Sequence, residues 1–206
     1  NSMLVVKLKS EEVTQELSEI EDGIVSIDLQ IKGNCFHGTG FIVSSEGYII
    51  TCEHVIRGYK EGTLTVSLDN KTWIAEVIRI DRDYDVAVLK IEGSNLSFLD
   101  IDDLEEVKPL LKIVCGGYPY TKTTNPTFLE GIISKIEDGK TEITKKPRKF
   151  IRIDKCLNPG FSGGPVFYKG VNGAYKVIGI VRSTNVTMYE GVQTISGTIT
   201  VNVPTG

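Results

Sequence analysis

No apolar stretch in the chain approaches the ~20 residues that a membrane-crossing helix requires, so no helical membrane span is expected. The N-terminus also lacks a basic segment followed by an apolar core, and no signal peptide is visible there. Asn1 and Ser2 ahead of Met3 read as a cloning remnant, which leaves a removed signal open. Positive charge is scarce: 23 Lys and Arg against 27 Asp and Glu give a net charge of −4. Neither a nucleic acid nor an anionic membrane is indicated as partner. The one basic run, Lys145-Lys146-Pro147-Arg148-Lys149, reads as the decoration of an exposed loop. The four cysteines (Cys35, Cys52, Cys115, Cys156) show no metal-ligand spacing, so no metal and no cofactor are expected. Isolated thiols fit a reducing compartment better than a disulfide scaffold, and the expected location is cytoplasmic. Repeats and low-complexity tracts are absent as well.

The chain of 206 residues reads almost entirely as short strands and turns. Ser10 caps a short N-terminal helix, with Val13, Leu17, Ile20 and Ile24 forming one apolar stripe. After Gly23 the period changes to two, as Val25, Ile27, Leu29 and Ile31 alternate with polar residues. Phe41-Ile42-Val43 and Tyr48-Ile49-Ile50 flank the hairpin turn Ser44-Ser45-Glu46-Gly47. Leu64, Val66 and Leu68 lead to a turn at Asp69-Asn70-Lys71, the chain returns through Trp73 to Ile80, and Val86–Leu89 is a compact apolar strand. An acidic loop from Gly93 to Glu106 joins the halves, dividing the chain into 1–105 and 106–206. The second half predicts strands at Leu111–Val114, Thr127–Ile136, Glu142–Thr144, Phe150–Asp154, Pro165–Tyr168, Tyr175–Arg182 and Gly197–Val203. Such spacing with glycine-rich turns points to an all-β sandwich or barrel.

One stretch stands apart. Asn158-Pro159-Gly160-Phe161-Ser162-Gly163-Gly164-Pro165-Val166 places a serine among glycines, where the backbone can turn sharply and leave the hydroxyl outward. It also lets the Gly160 and Ser162 N–H groups converge, as an acyl-transfer site needs to hold an oxyanion. With only two histidines the search for a base is short. His54 ends the apolar run Tyr48-Ile-Ile-Thr-Cys-Glu-His, positioned firmly yet able to reach solvent, and an imidazole suits proton transfer near neutrality. His37 has no matched acid nearby in sequence and reads as a surface or structural residue. Asp85 enters the apolar run Val86–Leu89, a position that is unfavourable unless the carboxylate is paired. Asp81 and Asp83 read as solvated turn residues, either of which is the acid if the register lies one turn away.

In the order His54, Asp85, Ser162, the segments Thr-Cys-Glu-His, Asp-Tyr-Asp-Val-Ala-Val-Leu and Gly-Phe-Ser-Gly-Gly-Pro resemble those of trypsin/chymotrypsin-like serine peptidases. The nearer resemblance is to the HtrA/Deg branch, carried by Gly38-Thr-Gly-Phe-Ile-Val-Ser-Ser-Glu-Gly-Tyr-Ile-Ile-Thr-Cys-Glu-His-Val55. Gly117-Tyr-Pro-Tyr120, Gly131-Ile-Ile-Ser134, Phe150–Gly160 and Val177-Ile-Gly-Ile180 support it, and the likeness runs from about Ile24 to Pro204. The resemblance implies two six-stranded antiparallel Greek-key barrels with the site in the crevice between them. It implies hydrolysis of polypeptide substrates, with Ser162 as nucleophile, His54 as base, Asp85 as orienting acid, and the Gly160 and Ser162 amides as oxyanion hole. A peptidase fold that binds without turnover is the alternative reading.

Two departures matter. Phe161 stands where secreted relatives carry an activating aspartate, and Val55 follows His54 where a disulfide usually braces the loop. By alignment with the family, the specificity pocket is expected from Cys156, Val181, Arg182, Ser183 and Thr184. No acid is among them, so cleavage after Lys or Arg is not expected; Thr184 narrows the entrance and favours small or medium apolar residues. Arg182 stands where a small polar residue is usual and has no account at this level. Relatives of the branch often continue into a PDZ domain, so the chain is read as a catalytic domain of a longer protein, with homo-oligomerisation left open.

Overall fold

The computed structural model describes residues 18, 20–102, 107–119, 125–141, 143–154, 157–170, 173–189 and 192–201. For 183–189 and 192–201 the backbone alone is described. The expected N-terminal helix falls mostly outside them; residues 18, 20 and 21 are helical. Ile24 is not part of the helical stripe, because it begins the first strand.

That strand, β1 (Ile24–Ile31), turns through Lys32 and Gly33 into β2 (Asn34–Ile42). Both turn residues have positive φ (49° and 84°), as a two-residue turn of type I′ requires. β3 (Tyr48–Thr51) follows the expected hairpin, whose Gly47 takes φ of 91°. Two single-turn 3₁₀ helices, η1 (Glu53–Ile56) and η2 (Tyr59–Glu61), lead to β4 (Thr63–Leu68), β5 (Lys71–Ile74), β6 (Glu76–Asp81) and β7 (Val86–Lys90).

These seven strands form one antiparallel sheet in the order β5-β4-β1-β2-β3-β7-β6. The sequence predicts a single run from Trp73 to Ile80; the structure divides it at Ala75, whose N–H donates to Leu64 O at 3.0 Å. The two edge strands are therefore consecutive in the chain, and the sheet curls back on itself through that one residue. This accounts for seven strands where the resemblance implied a barrel of six.

The second half is a closed six-stranded barrel: β8 (Lys112–Gly117), β9 (Thr127–Lys140), β10 (Pro147–Ile153), β11 (Pro165–Lys169), β12 (Tyr175–Tyr189) and β13 (Val192–Val201), in the order β10-β13-β12-β11-β8-β9. Closure leaves no strand edge unpaired. The expected strand Glu142–Thr144 is not one. Ile143 and Thr144 lie in the bend between β9 and β10, where the Asp83 carboxylate accepts both of their N–H groups (2.9 and 3.0 Å) and the Thr144 hydroxyl. Glu142 is outside the described residues.

The chain is thus all-β, two curled antiparallel sheets in the chymotrypsin-like arrangement. β1 departs from half-buried alternation: Ile24, Val25, Ser26 and Ile27 are all buried. The reason is its central place. Ile24 packs on Gly116 of β8, and the apolar cluster of the first sheet extends to Val114, Tyr118, Phe167 and Val177 of the second half. A separate cluster containing Ile113, Ile133, Ile151, Phe161, Val166 and Val181 fills the closed barrel.

Candidate active site

A cleft of about 1340 Å³ is lined by His37, His54 and Asp85 of the first half and by Pro159, Gly160, Ser162 and Arg182 of the second. His37 and Arg182 reach it from within β2 and β12, His54 from η1, and the others from the turns and loops that precede β7 and β11. β3 delivers the chain through Cys52, fully buried, into η1, which exposes about a third of the His54 side chain. Asp85 sits in the turn between β6 and β7 with φ of 56°, a left-handed conformation that Asp tolerates better than most residues. Its carboxylate is nearly enclosed, and both oxygens serve the same partner: Oδ1 accepts the His54 backbone N–H at 3.0 Å and Oδ2 pairs with Nδ1 at 2.8 Å. Burial pushes the Asp85 carboxyl up, but the bonds from His54 and then Arg182 outweigh it and hold it below its usual range. With Nδ1 committed to the carboxylate, Nε2 is the nitrogen left for proton transfer.

The serine loop is built from turns. Asn158 O accepts the Phe161 N–H at 3.3 Å around Pro159 and Gly160, and Gly160 takes φ of 103°. Proline at the second position and positive φ at the third are those of a type II turn. A further turn closes from Gly164 N to Phe161 O at 2.9 Å around Ser162 and Gly163, the latter at φ of 86°. Strand β12 anchors this part, since Gly163 N donates to Val181 O and Val181 N to Gly164 O, both at 2.8 Å. Among the described residues, neither the Gly160 nor the Ser162 N–H donates to a protein acceptor. Ser162 Oγ donates to Arg182 O at 3.4 Å, a long bond, and not to His54.

Of the residues aligned with a specificity pocket, Cys156 lies outside the described residues, as do the side chains of Ser183 and Thr184. Val181 is buried in the closed barrel and acts through its backbone, so its side chain does not face the cleft. Arg182 does line it, and its Nε donates to Asp85 Oδ2 at 3.1 Å.

Three features escape the sequence reading. His37 is half-buried and has an acid: Nδ1 lies 2.8 Å from Asp28 Oδ1 and Nε2 lies 3.0 Å from Tyr118 O. The signal was the Lys32-Gly33 turn, since its register sets Asp28 opposite His37. Arg148 is buried, not loop decoration; its guanidinium donates to Tyr84 O at 2.9 Å and stacks over Tyr84 and Phe150. Asp81 and Asp83 are structural: the first accepts the N–H groups of Asp83 and Tyr84 at 3.0 Å, and the second fastens the 143–144 bend.

Cys52, His54 and Asp85 bring a thiol, an imidazole and a carboxylate within 4.8 Å of one another, the donor types of a metal site. They do not suit a cation as they stand. Burial, then the Asp85 charge, pushes the Cys52 thiol well up, it donates to Val181 O at 3.3 Å, and the Arg182 guanidinium already occupies Asp85 Oδ2.

The profile of the trypsin-like peptidase domain matches residues 38–180. A DegP-like periplasmic serine endoprotease of Halomonas elongata is 40% identical over 131 residues, covering 63% of this chain and 26% of its own. One from Pseudomonas fluorescens is 35% identical over 166 residues, covering 81% and 33%. The chain spans about a quarter to a third of the length of these curated relatives. Among solved structures, the HtrA-type protease AlgW with a tripeptide superposes with a TM-score of 0.73 at 25% identity, over 91% of this chain and 59% of that one. The Rv3671c protease from M. tuberculosis, in its active form, shares the fold with a TM-score of 0.74 at 24% identity, over 90% and 78%. The relatives' names overturn the cytoplasmic expectation, since they place those proteins in the periplasm. The thiols misled because Cys52 and Cys115 are buried, and a buried free cysteine is common enough as a small packing residue to report nothing of redox compartment.

Proposed function

Since the chain belongs to the trypsin-like peptidase domain family and is of the HtrA type, we propose that it is a serine endopeptidase domain working through Ser162, His54 and Asp85. In this reading His54 Nε2 takes the proton as Ser162 Oγ attacks the scissile carbonyl. Asp85, bonded to Nδ1, then stabilises the imidazolium, and the proton passes to the leaving amine. The N–H groups of Gly160 and Ser162, which meet no protein acceptor among the described residues, receive the oxyanion. The observation that carries the reading is the double grip of Asp85 on His54, through Nδ1 and through the backbone N–H, across one cleft from Ser162. Catalytic hydrogen bonds are often long before substrate arrives, and the 3.4 Å bond from Ser162 to Arg182 O holds the hydroxyl weakly. Preferred cleavage after small or medium apolar residues remains part of the proposal, resting on the alignment of Thr184 and the lack of an acid among the pocket positions.

That same bond is the one observation on the side of a silent, protease-fold binding protein. Labelling with a fluorophosphonate separates the two. Wild type is expected to label, and Ser162→Ala and His54→Ala are not. Labelling that survives Ser162→Ala removes the nucleophile assignment; a folded wild type that never labels favours the silent reading.

A further inference from the structure

Arg182 is the cleft residue for which the sequence offers no account, and its geometry supplies one. The side chain is mostly enclosed, with 17% exposed, and its Nε–H donates at 3.1 Å to the same Asp85 oxygen that His54 Nδ1 approaches at 2.8 Å. Two donors converging on one oxygen place the guanidinium within about 6 Å of the imidazole, where like charges oppose protonation. The carboxylate that would stabilise an imidazolium is thus shared with a permanent cation. A second guanidinium, Arg148, is buried in the same electrostatic neighbourhood, coupled to both Asp85 and Arg182.

We infer that Arg182 is a positioning residue that holds Asp85 while sharing with His54 the one carboxylate oxygen that both approach, and that the charge at this position sets the acidic limb of the activity. The groups in charge interaction with Asp85 are Arg182 on β12, Arg148 on β10 and the Cys52 thiol before η1, while His37, Arg57, Arg82, Lys135, Glu137, Asp138 and Arg152 line the same cleft. Cys52 stays protonated because burial raises it. The Glu53 carboxylate is enclosed and clamped by Arg57 at 2.6 Å and Arg82 at 3.6 Å, so two cations offset its single charge. Arg182 is therefore the cation bonded to Asp85 on the oxygen that His54 uses, and the one whose loss acts most directly. A neutral side chain returns the whole Asp85 charge to His54; the imidazolium then persists to higher pH, and the base is lost where the wild type still has it.

The inference rests on the triad reading for its kinetic consequence, and one readout stands free of it. Wild type, Arg182→Gln, which keeps a donor, and Arg182→Lys, which keeps the charge, are compared in two ways. The acidic limb of kcat/KM on a peptide substrate is expected to move up by about one pH unit in the Gln variant and to stay near wild type in the Lys variant. The His54 ring titration, followed by NMR of labelled imidazole nitrogens in the full chain, is expected to move likewise and requires no turnover. Arg182→Met supplies a second neutral replacement should the Gln variant fold poorly. Equal shifts in the Gln and Lys variants, or a titration that stays put in both neutral variants, overturn the inference. A titration that moves in an enzyme without activity upholds the coupling and removes the peptidase reading.

Discussion

Thr39 Oγ1 donates to the Gly160 carbonyl at 2.6 Å, across a chain separation of 121 residues. The same hydroxyl accepts the Tyr118 N–H at 2.9 Å, and the Thr39 backbone N–H donates to Ser162 O at 2.9 Å. One residue of the first sheet therefore fixes the carbonyls on both sides of Phe161, and with them the direction in which the serine loop presents its amides.

Replacing Thr39 by Val keeps the volume and removes the hydroxyl. Gly160 O and the Tyr118 N–H then lose a buried partner, and an unsatisfied buried group costs about 1–3 kcal/mol. The expected result is a lower denaturant midpoint and slower fluorophosphonate labelling in Thr39→Val, with both restored toward wild type in Thr39→Ser. Labelling at the wild-type rate in the Val variant shows that the loop does not depend on this bond.

Phe161 answers the question raised by the missing activating aspartate. Its ring is 1% exposed and packs in the core of the closed barrel against Gly117, where an added Cβ would lie 2.8 Å from Phe161 Cδ1. The loop is held by an apolar anchor, whereas an aspartate would need a buried cation. Phe161→Ala leaves a cavity beside Ser162, and Phe→Ala changes in cores cost about 3–5 kcal/mol. Thermal or denaturant unfolding is expected to show that loss together with impaired labelling; a variant as stable as wild type argues that the ring is no anchor.

Gly163 has a stricter requirement. At its φ of 86°, a Cβ would lie 2.1 Å from Thr39 O and 2.3 Å from Thr51 Oγ1. Thr39 O is backbone and already accepts from the Thr51 hydroxyl at 2.7 Å, so it cannot give way. Gly163→Ala must push Ser162 off the first sheet, and a displacement near 1 Å can slow chemistry about 100-fold. The check is the labelling rate of the Ala variant in a sample shown to be folded; unchanged labelling contradicts the close approach.

What the sequence discloses and what it hides divide along a physical line. That Ser162, His54 and Asp85 meet in one cleft was legible because each sits at the boundary of an apolar run with its own local pattern. The two-fold style of the strands was legible for the same reason. Pairings between distant segments were not. Arg182 meets Asp85 across 97 residues and Arg148 meets Tyr84 across 64, so neither partner lies in any local window. The split at Ala75 was hidden because Trp73 to Ile80 keeps strand-like residues throughout, and only the curl of the sheet demands a break there. The pocket positions Cys156, Ser183 and Thr184 rest on alignment alone.

Acid sensitivity should trace in part to Asp85. Its carboxyl is held below the usual 3.8, since the bonds from His54 and Arg182 overcome its burial. A group whose folded-state pKa is depressed stabilises the fold fully above its unfolded value, and that contribution fades as pH falls through the folded value. Asp85 therefore contributes throughout the range from neutrality to about pH 4 and loses its effect below. Asp83, tied to Ile143 and Thr144, and Glu137, tied to Lys135 and Arg152, are held low as well and fail in the same direction. Urea unfolding of wild type is expected to be nearly level from pH 7 to pH 5 and to weaken steeply below pH 4. Asp85→Asn, which keeps an acceptor for His54 but loses the charge, is expected to be less stable than wild type at pH 7, with the gap closing by pH 3. A gap of constant size across that range means that the Asp85 charge does not carry the acid transition.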